Sequence, residues 1–267
     1  MSQRFVRYQK SSEIGPQFGF LNGDLTGGTI TPLGKAPWDG VEPAGGEFSA
    51  RELSDKTLLA PVIPSKIICV GLNYHAHVKA SYSADEAPER PLLFMKPSSS
   101  IIGPEARIVL PPVSERVDYE AELGVVIGKT ACKVSVEEAA NHIFGLTCVN
   151  DVTARDLQKL DGQWTRAKGF DTFCPVGPWI VTDINYDDIL IEGILNDEVK
   201  QSGRTSQMIF LIPQLISYIS SIMTLSPGDL ISTGTPAGIA PMKSGDTIEV
   251  RVENVGTLRN HIVSTED

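Results

Sequence analysis

Three carboxylates recur at every second position at the start of the segment from Asp118 to Gly128. Asp118, Glu120 and Glu122 alternate with apolar or aromatic side chains, and the segment then continues as an apolar run. This alternation is typical of a β-strand, in which successive side chains point to opposite faces. The three carboxylates are therefore expected on one face. Because like charges repel and ionised carboxylates are costly to bury, a positive group should lie opposite them.

A hard divalent cation is the best candidate for that positive group, since magnesium, manganese and calcium prefer carboxylate oxygen. A second acidic position supports this interpretation. The apolar segment 143–149 predicts a buried strand, and Asp151 follows at its end, where functional groups commonly lie. We therefore expect Asp151 to be a further metal ligand. The alternation also fits an edge strand whose inward-pointing charges prevent aggregation, and this alternative stays open from the pattern alone.

A histidine pair precedes the acidic segment. Asn73 is predicted to cap a short helix that begins at Tyr74. On such a helix, His75 and His77 lie about 200° apart around the axis, so only one of them can face a site. His77 is the candidate general base, although a lone histidine near a helix start is more often structural, and both interpretations stay open at this point.

Basic and polar side chains follow the second acidic position. Arg155 and Gln158 are expected on one side of a helix. Three ligand carboxylates and one dication leave a net charge of −1, so Arg155 and Lys168 are expected to restore the balance and hold a carboxylate substrate. Ordinary surface solvation is the alternative for both. The amides of the later glycine loop and the Thr235 hydroxyl are also expected to bind a carboxylate.

Composition and charge exclude some partners. The net charge of −10 over 267 residues argues against nucleic acid, which requires clustered Lys and Arg, and against an anionic membrane surface. No apolar run approaches the roughly 20 residues that span a bilayer, and the N-terminus lacks the apolar core of a signal peptide. We expect a cytoplasmic protein, with an organellar matrix as the weaker alternative.

Strand and turn patterns divide the chain in two. Residues 1–60 are predicted to form a small β-rich N-terminal domain and residues 61–267 the catalytic domain. Further strands are expected at 4–8, 18–21, 66–71, 92–96, 176–182, 189–195, 230–232 and 247–252, and a core helix over 211–223. The polar, acidic segment 81–90 has the composition of a mobile lid.

Six motifs together resemble the fumarylacetoacetate hydrolase family. They are KIICVGLNY from Lys66 with His77, DYEAELGVVIG from Asp118, NDVTARD from Asn150, Trp164 to Lys168, Met208-Ile-Phe, and TGTPAG from Thr233. The resemblance covers roughly residues 58–263. It implies a mostly β, α+β fold with a rolled mixed sheet, a small N-terminal domain and a homodimeric assembly.

The resemblance also implies a set of roles. Mg²⁺ or Mn²⁺, with Ca²⁺ as a possible substitute, would be held by Glu120, Glu122 and Asp151. His77 and Lys168 would be catalytic, and the substrate would be bound by Arg155, Gln158 and Thr235. The implied substrate is a small 2-oxo or 1,3-dioxo acid. A carbon–carbon bond hydrolase of the acylpyruvate type and an oxaloacetate-type decarboxylase are expected equally.

One position departs from the family pattern. Many members carry a glutamate three residues after the histidine, where this chain has Ala80. An alanine cannot orient an imidazole or accept a proton, so hydrolysis loses support. Keto-enol isomerisation of a similar oxo acid and a non-catalytic metal-binding protein are the alternatives. The sequence leaves open whether Asp85, Glu86 or Glu89 compensates from the lid.

Overall fold

The computed structural model describes residues 2–10, 15–53, 58–80 and 86–265, with only the backbone at 79 and 80. Strands dominate the order of elements, and the helices are short. The strands are β1 Arg4–Tyr8, β2 Gln17–Asn22, β3 Thr29–Leu33, β4 Phe48–Ser49, β5 Leu58–Leu59, β6 Ile67–Gly71, β7 Leu92–Lys96, β8 Ile101–Ile102, β9 Arg107–Leu110, β10 Val117–Asp118, β11 Ala121–Ile127, β12 Ile143–Asn150, β13 Thr153–Ala154, β14 Cys174–Val181, β15 Leu190–Leu195, β16 Glu198–Arg204, β17 Leu230–Ser232, β18 Thr247–Val252 and β19 Gly256–Ser264. The helices are α1 His75–Ala80, α2 Val136–Ala139, α3 Arg155–Asp161, α4 Thr165–Lys168 and α5 Ile212–Ile222.

A twelve-stranded sheet forms the centre of the molecule. Its order is β4-β3-β2-β1-β14-β12-β11-β17-β6-β7, with β5 paired to β1 and β8 to β14. Most neighbours are antiparallel, whereas β17 runs parallel to β6 and β8 parallel to β14. A five-stranded sheet of order β16-β15-β18-β19-β9 and the short pair β10-β13 complete the sheet structure. The expected mostly β fold with short helices and mixed sheets is confirmed.

The strand with the acidic residues lies inside the large sheet. β11 pairs with β12 on one side and with β17 on the other, and all seven of its residues are buried. An edge strand with protective charges is therefore excluded as the explanation of the alternating carboxylates. The chain leaves regular strand geometry between β10 and β11, so Tyr119 and Glu120 form a short connection between two ladders.

The strands of the N-terminal segment extend the same sheet. β1 pairs antiparallel with β14 through Arg4 opposite Val181 and Phe5 opposite Ile180. Phe5 also contacts the ring of Phe144 at 5.3 Å between centroids, and this contact joins the segment to β12. The division of the chain into domains at residue 60 stays a prediction.

The predicted core helix is confirmed as α5. Its apolar stripe packs into the main core, with Leu215, Ile216 and Ile219 fully buried. The apolar periodicity of this segment therefore predicted its position well. No helix among the described residues is long and apolar enough to cross a membrane.

The predicted cap of α1 is wrong. α1 begins at His75, and Val78 N–H donates to the Tyr74 carbonyl. The Asn73 side chain instead donates to the carbonyls of Phe210 and Thr233 and accepts from Phe210 N–H, at 2.7–3.0 Å. Asn73 is fully buried. Its hydrogen bonds join the start of α1 to two segments that are distant in sequence.

Candidate metal centre

Three carboxylates converge at one end of β11. Glu120 precedes β11, Glu122 is its second residue, and Asp151 follows β12, the neighbouring strand. Ala121 lies opposite Asn150 in this ladder, and Asp151 N–H donates to the Glu120 carbonyl at 2.9 Å. One oxygen from each side chain lies within 4.8 Å of the others, and all three residues are buried. The ladder register therefore brings the predicted metal ligands together.

Lys168 lies between two of these carboxylates. It is the last residue of α4, and its Nζ donates to Glu120 Oε2 at 2.8 Å and to Asp151 Oδ2 at 2.7 Å. Burial alone would lower the pKa of Lys168, but the charges of Asp151 and Glu120 outweigh it, and the pKa is raised. Lys168 is therefore a fixed ammonium, suited to binding an anion.

Arg155 forms ion pairs with two acidic side chains, Asp118 and Glu120. Its guanidinium donates to Asp118 at 3.0 Å, to Glu120 at 2.5 Å and to the side-chain oxygen of Gln158 at 2.6 Å. Both Arg155 and Gln158 lie on α3, as expected. Asp118 also pairs with Arg116 at the surface. Asp118 is therefore held by two arginines and stays outside the group of three converging carboxylates.

The pKa values of the two glutamates move in opposite directions. Burial raises the pKa of Glu120, but Lys168 and Arg155 overcome this effect, and the pKa is held well below its usual range. Burial and the charges of Asp151 and Glu120 raise the pKa of Glu122 to about 8. The hydrogen bonds of Glu122 come from neutral donors, the Ser232 hydroxyl and the Gly234 amide. Unlike Glu120 and Asp151, Glu122 thus forms no ion pair with a described residue.

Lys96 was missed by the sequence reasoning. Its fully buried Nζ donates to the carbonyls of Val152, Lys168 and Phe173 at 3.0, 2.6 and 2.8 Å. It also lies 2.8 Å from Asp151 Oδ1. An ammonium has three protons, and all three go to the carbonyls. Asp151 Oδ1 consequently feels the charge without receiving a hydrogen bond from any described residue.

The residues present fit a hard divalent cation. Asp151 Oδ1 is a buried acceptor that receives no hydrogen bond from the described part of the chain. Both described donors to Glu122 bind its Oε2, so Oε1 is open to a ligand. A cavity of about 20 Å³, lined by both glutamates, lies at the cluster, and this is about the space of one water molecule. Oxygen donors of this type match magnesium and manganese.

His77 is the histidine that faces the site. It is 6% exposed and lines the same small cavity, while His75 is exposed. Burial lowers the pKa of His77 by more than the charge of Glu120 raises it, so the pKa lies below its ordinary value. Its Nδ1 is buried and has no hydrogen-bond partner in the described part of the chain. His77 is therefore neutral at pH 7 and free to accept a proton.

The lid acids proposed from sequence fall in two groups. Asp85, with the rest of 81–85, lies outside the described residues, as does the side chain of Ala80. Glu86 and Glu89 are described and exposed. Neither forms a hydrogen bond to His77 in the described structure, so neither replaces the glutamate of the family pattern there.

Thr235 lines the small cavity, but its hydroxyl is already engaged. It donates to the Ala121 carbonyl at 2.8 Å and accepts from Gln201 Nε2 at 2.8 Å. Gln201 in turn accepts from Ala121 N–H at 2.9 Å. The Thr235 proton is therefore unavailable to a ligand, and a contact would use the remaining lone pair or the backbone. The assigned roles of the site residues stay predictions.

Comparison with known proteins identifies the relatives of this chain. Residues 66–263 match the family model "Fumarylacetoacetate (FAA) hydrolase C-terminal", and residues 3–61 match "Rv2993c-like, N-terminal". The uncharacterized protein MJ1656 of Methanocaldococcus jannaschii is 50% identical over 81% of this chain and 90% of its own length. The human mitochondrial oxaloacetate tautomerase FAHD2A is 43% identical over 79% of this chain and 70% of its own length.

A solved structure extends this relationship to nearly the whole chain. The crystal structure of 2-hydroxyhepta-2,4-diene-1,7-dioate isomerase from Mycobacterium marinum superposes with a TM-score of 0.89 at 41% identity. The match covers 99% of this chain and 100% of that chain. The family model alone covers well over half of the sequence. The chain therefore belongs to the fumarylacetoacetate hydrolase family.

Proposed function

We propose that this protein is a divalent-metal-dependent keto-enol tautomerase of a 2-oxo acid of the oxaloacetate type. The observation that carries the proposal is the state of His77, a buried imidazole beside the acidic cluster without a carboxylate partner in the described residues. The names of two relatives, an oxaloacetate tautomerase and a dienedioate isomerase, support the same class of reaction.

The absence of a carboxylate partner for His77 among the described residues separates this reaction from hydrolysis. Hydrolysis of a carbon–carbon bond requires a base that activates water, and an oriented histidine–carboxylate pair is suited to that task. Position 80 is alanine, and Glu86 and Glu89 are exposed. Tautomerisation requires only that one proton leave a carbon and reach an oxygen of the same molecule. A neutral imidazole that accepts and returns this proton is sufficient.

The charged residues orient the substrate acid and stabilise the negative charge that develops on its keto oxygen. Glu120, Glu122 and Asp151 would hold Mg²⁺ or Mn²⁺, which when bound withdraws electrons from a chelating oxo acid. Arg155 and Gln158 orient the substrate carboxylate, and Lys168 adds a fixed positive charge that favours the enolate. Lys96 holds the backbone beside Asp151 and the carbonyl of Lys168 in place.

His77 moves the proton in the proposed reaction. It accepts a proton from the carbon next to the keto group as the carbon–carbon double bond forms and the electron pair moves to the keto oxygen. Returning the same proton to that oxygen gives the enol, and the reverse sequence gives the ketone. The lowered pKa of His77 keeps the imidazole in its neutral, proton-accepting form.

A comparison of His77→Gln with His75→Gln tests this function. Loss of the enol absorbance of oxaloacetate is followed with Mg²⁺ or with EDTA, and carbon dioxide is measured in parallel. We expect metal-dependent ketonisation that falls by about 100-fold in His77→Gln and is unchanged in His75→Gln, the exposed neighbour on the same helix. Stoichiometric carbon dioxide release would indicate a decarboxylase instead. Metal binding without turnover on oxaloacetate or an acylpyruvate would indicate a non-catalytic protein.

A further inference from the structure

Two aromatic rings lie against the ammonium of Lys168. Phe94 belongs to β7 and Trp164 directly precedes α4, and their rings pack edge to face with centroids 5.1 Å apart. Lys168 Nζ lies 4.9 Å from the ring centroid of Phe94 and 5.9 Å from a ring centroid of Trp164. The negative face of an aromatic ring attracts a cation within about 6 Å of its centroid. The two rings therefore hold the ammonium on its apolar side.

Lys168 keeps one proton that no described residue accepts. An ammonium has three N–H donors, and two of them go to Glu120 Oε2 and Asp151 Oδ2. Lys96 also lies beside Asp151, but all three of its protons go to backbone carbonyls. Lys168 lines the small cavity at the acidic cluster. That cavity is therefore open to the third proton of Lys168.

Gly71 sets the position of the indole. It ends β6 and lies opposite Leu92 in the ladder with β7, and its φ is not positive. The backbone here therefore does not require glycine. A β-carbon added at Gly71 would lie 2.6 and 2.8 Å from Cζ3 and Cη2 of Trp164, well inside the roughly 3.5–4.0 Å of a favourable carbon contact. The indole therefore packs directly on the strand backbone, which explains the glycine.

One helical turn carries both the indole and the ammonium. Lys168 N–H donates to the Trp164 carbonyl at 3.0 Å, and residues four apart lie on the same side of a helix. Trp164 lines both the small cavity and a cavity of about 1270 Å³ that opens beside it. Arg155 and Gln158 are the other described residues that line both, and they are polar. Trp164 is thus the apolar residue at this boundary, where it limits the access of water to Lys168.

We propose that Trp164 is a positioning residue that acts through Lys168. Its indole, seated on Gly71 and packed against Phe94, closes the apolar side of the ammonium. Two carboxylates close the acidic side, so the third N–H is turned toward the small cavity and donates to the ligand oxygen on which negative charge develops. This last step rests on the proposed function, because the enolate oxygen is the group that gains charge there. Exclusion of water by the indole strengthens the hydrogen bond.

Calorimetric titration with oxalate and pyruvate in Mg²⁺ buffer tests the proposal. The two acids are similar in size, but oxalate carries a second negative charge where pyruvate has a neutral ketone. Loss of a correctly directed N–H should therefore weaken oxalate binding more than pyruvate binding. In Trp164→Leu we expect the affinity for oxalate to fall about tenfold and that for pyruvate by less than about threefold. Trp164→Phe keeps an aromatic face and should lose less than about threefold for oxalate.

Gly71→Ala tests the same contact without changing Trp164 or Lys168. The added methyl group must displace the indole, so the preference for oxalate should fall as in Trp164→Leu. In a protein that already carries Trp164→Leu, this methyl group should cause little further loss, because the indole is gone. Trp38→Leu is the matched control, since Trp38 packs edge to face with Phe18 and lines neither cavity. It should leave the ratio of the two affinities unchanged.

The outcomes separate this inference from the proposed function. An equal fall for both acids, an unchanged ratio in Trp164→Leu, or wild-type binding of oxalate no tighter than that of pyruvate would overturn the role of Trp164, even if oxaloacetate is ketonised. A selective loss of oxalate binding in Trp164→Leu and Gly71→Ala, with the ratio unchanged in Trp38→Leu, would support it even if no tautomerisation is found. A similar selective loss in Trp38→Leu would indicate a general effect of packing and would also overturn it.

Discussion

Replacement of Lys96 by methionine tests how the site is held together. Methionine has nearly the same length and flexibility as lysine, so Lys96→Met removes the ammonium with little change in side-chain volume. The carbonyls of Val152, Lys168 and Phe173 then lose their shared donor. Asp151 also loses a positive charge 2.8 Å from Oδ1.

The expected loss of unfolding free energy in Lys96→Met follows from these contacts. An unsatisfied buried polar group costs about 1–3 kcal/mol, and three carbonyls at the low end of this range give about 3 kcal/mol. Loss of a buried ion-pair partner costs about 3–5 kcal/mol when the remaining charge has no other partner. Lys168 still pairs with Asp151 at 2.7 Å, so most of this second cost is avoided. We expect the free energy of unfolding to fall by about 3–5 kcal/mol, and Tm by roughly 6–15 °C.

Urea unfolding in EDTA measures this change without any contribution from bound metal. Lys200→Met is the control, because Lys200 pairs with Glu198 at the surface and exposed pairs contribute about 0–1 kcal/mol. A loss below about 1 kcal/mol in Lys96→Met, or an equal loss in Lys200→Met, would refute the reasoning.

Three further changes have definite expected results. The pKa of His77 is lowered in the folded protein, so its stabilising contribution is complete above the unfolded value of about 6.5 and is lost as pH falls through the folded pKa. The free energy of unfolding should therefore decrease below about pH 6.5, and this decrease should be smaller in His77→Gln. Because kcat/KM follows the folded pKa, it should still be level at about pH 6.5 and decline only at lower pH. Arg155→Lys keeps the charge but not the three-way contact with Asp118, Glu120 and Gln158, so kcat/KM should fall by about 100-fold; wild-type turnover would contradict this. Asn73→Ala removes three buried hydrogen bonds and should cost about 2–4 kcal/mol in unfolding free energy, with a fall below about 1 kcal/mol as the contrary result.

Local patterns predicted the elements well, because their causes lie within a few residues. The apolar stripe of α5 predicted a core helix. The alternation from Asp118 predicted one strand with three carboxylates on one face, but the strand is interrupted at Tyr119 and Glu120, and Asp118 lies outside the converging group. The apolar run of β12 correctly placed Asp151 at a strand end. The register of β11 against β12, which was not predicted, then brings Asp151 to Glu120 and Glu122.

The supporting contacts were not predictable from single segments. Lys96 looked like an ordinary strand end, because its acceptors at Val152, Lys168 and Phe173 are 56, 72 and 77 residues away in sequence. Asn73 has the side chain of a helix cap, but stronger bonds to segments 137 and 160 residues distant determine its position. Long-range packing overrides local preference at both positions.

Binding of a dication by three converging carboxylates is the central claim, and thermal unfolding with and without Mg²⁺ tests it most directly. Glu122→Gln keeps an oxygen that can accept from Ser232 and Gly234 while removing the charge. At a Mg²⁺ concentration about 100 times Kd, wild-type stability should rise by about 2.7 kcal/mol, or roughly 5–8 °C in Tm. Glu122→Gln should show no rise and should be at least as stable as wild type in EDTA. An equal rise in both proteins, or no rise in wild type with either Mg²⁺ or Mn²⁺, would contradict the assignment of the site.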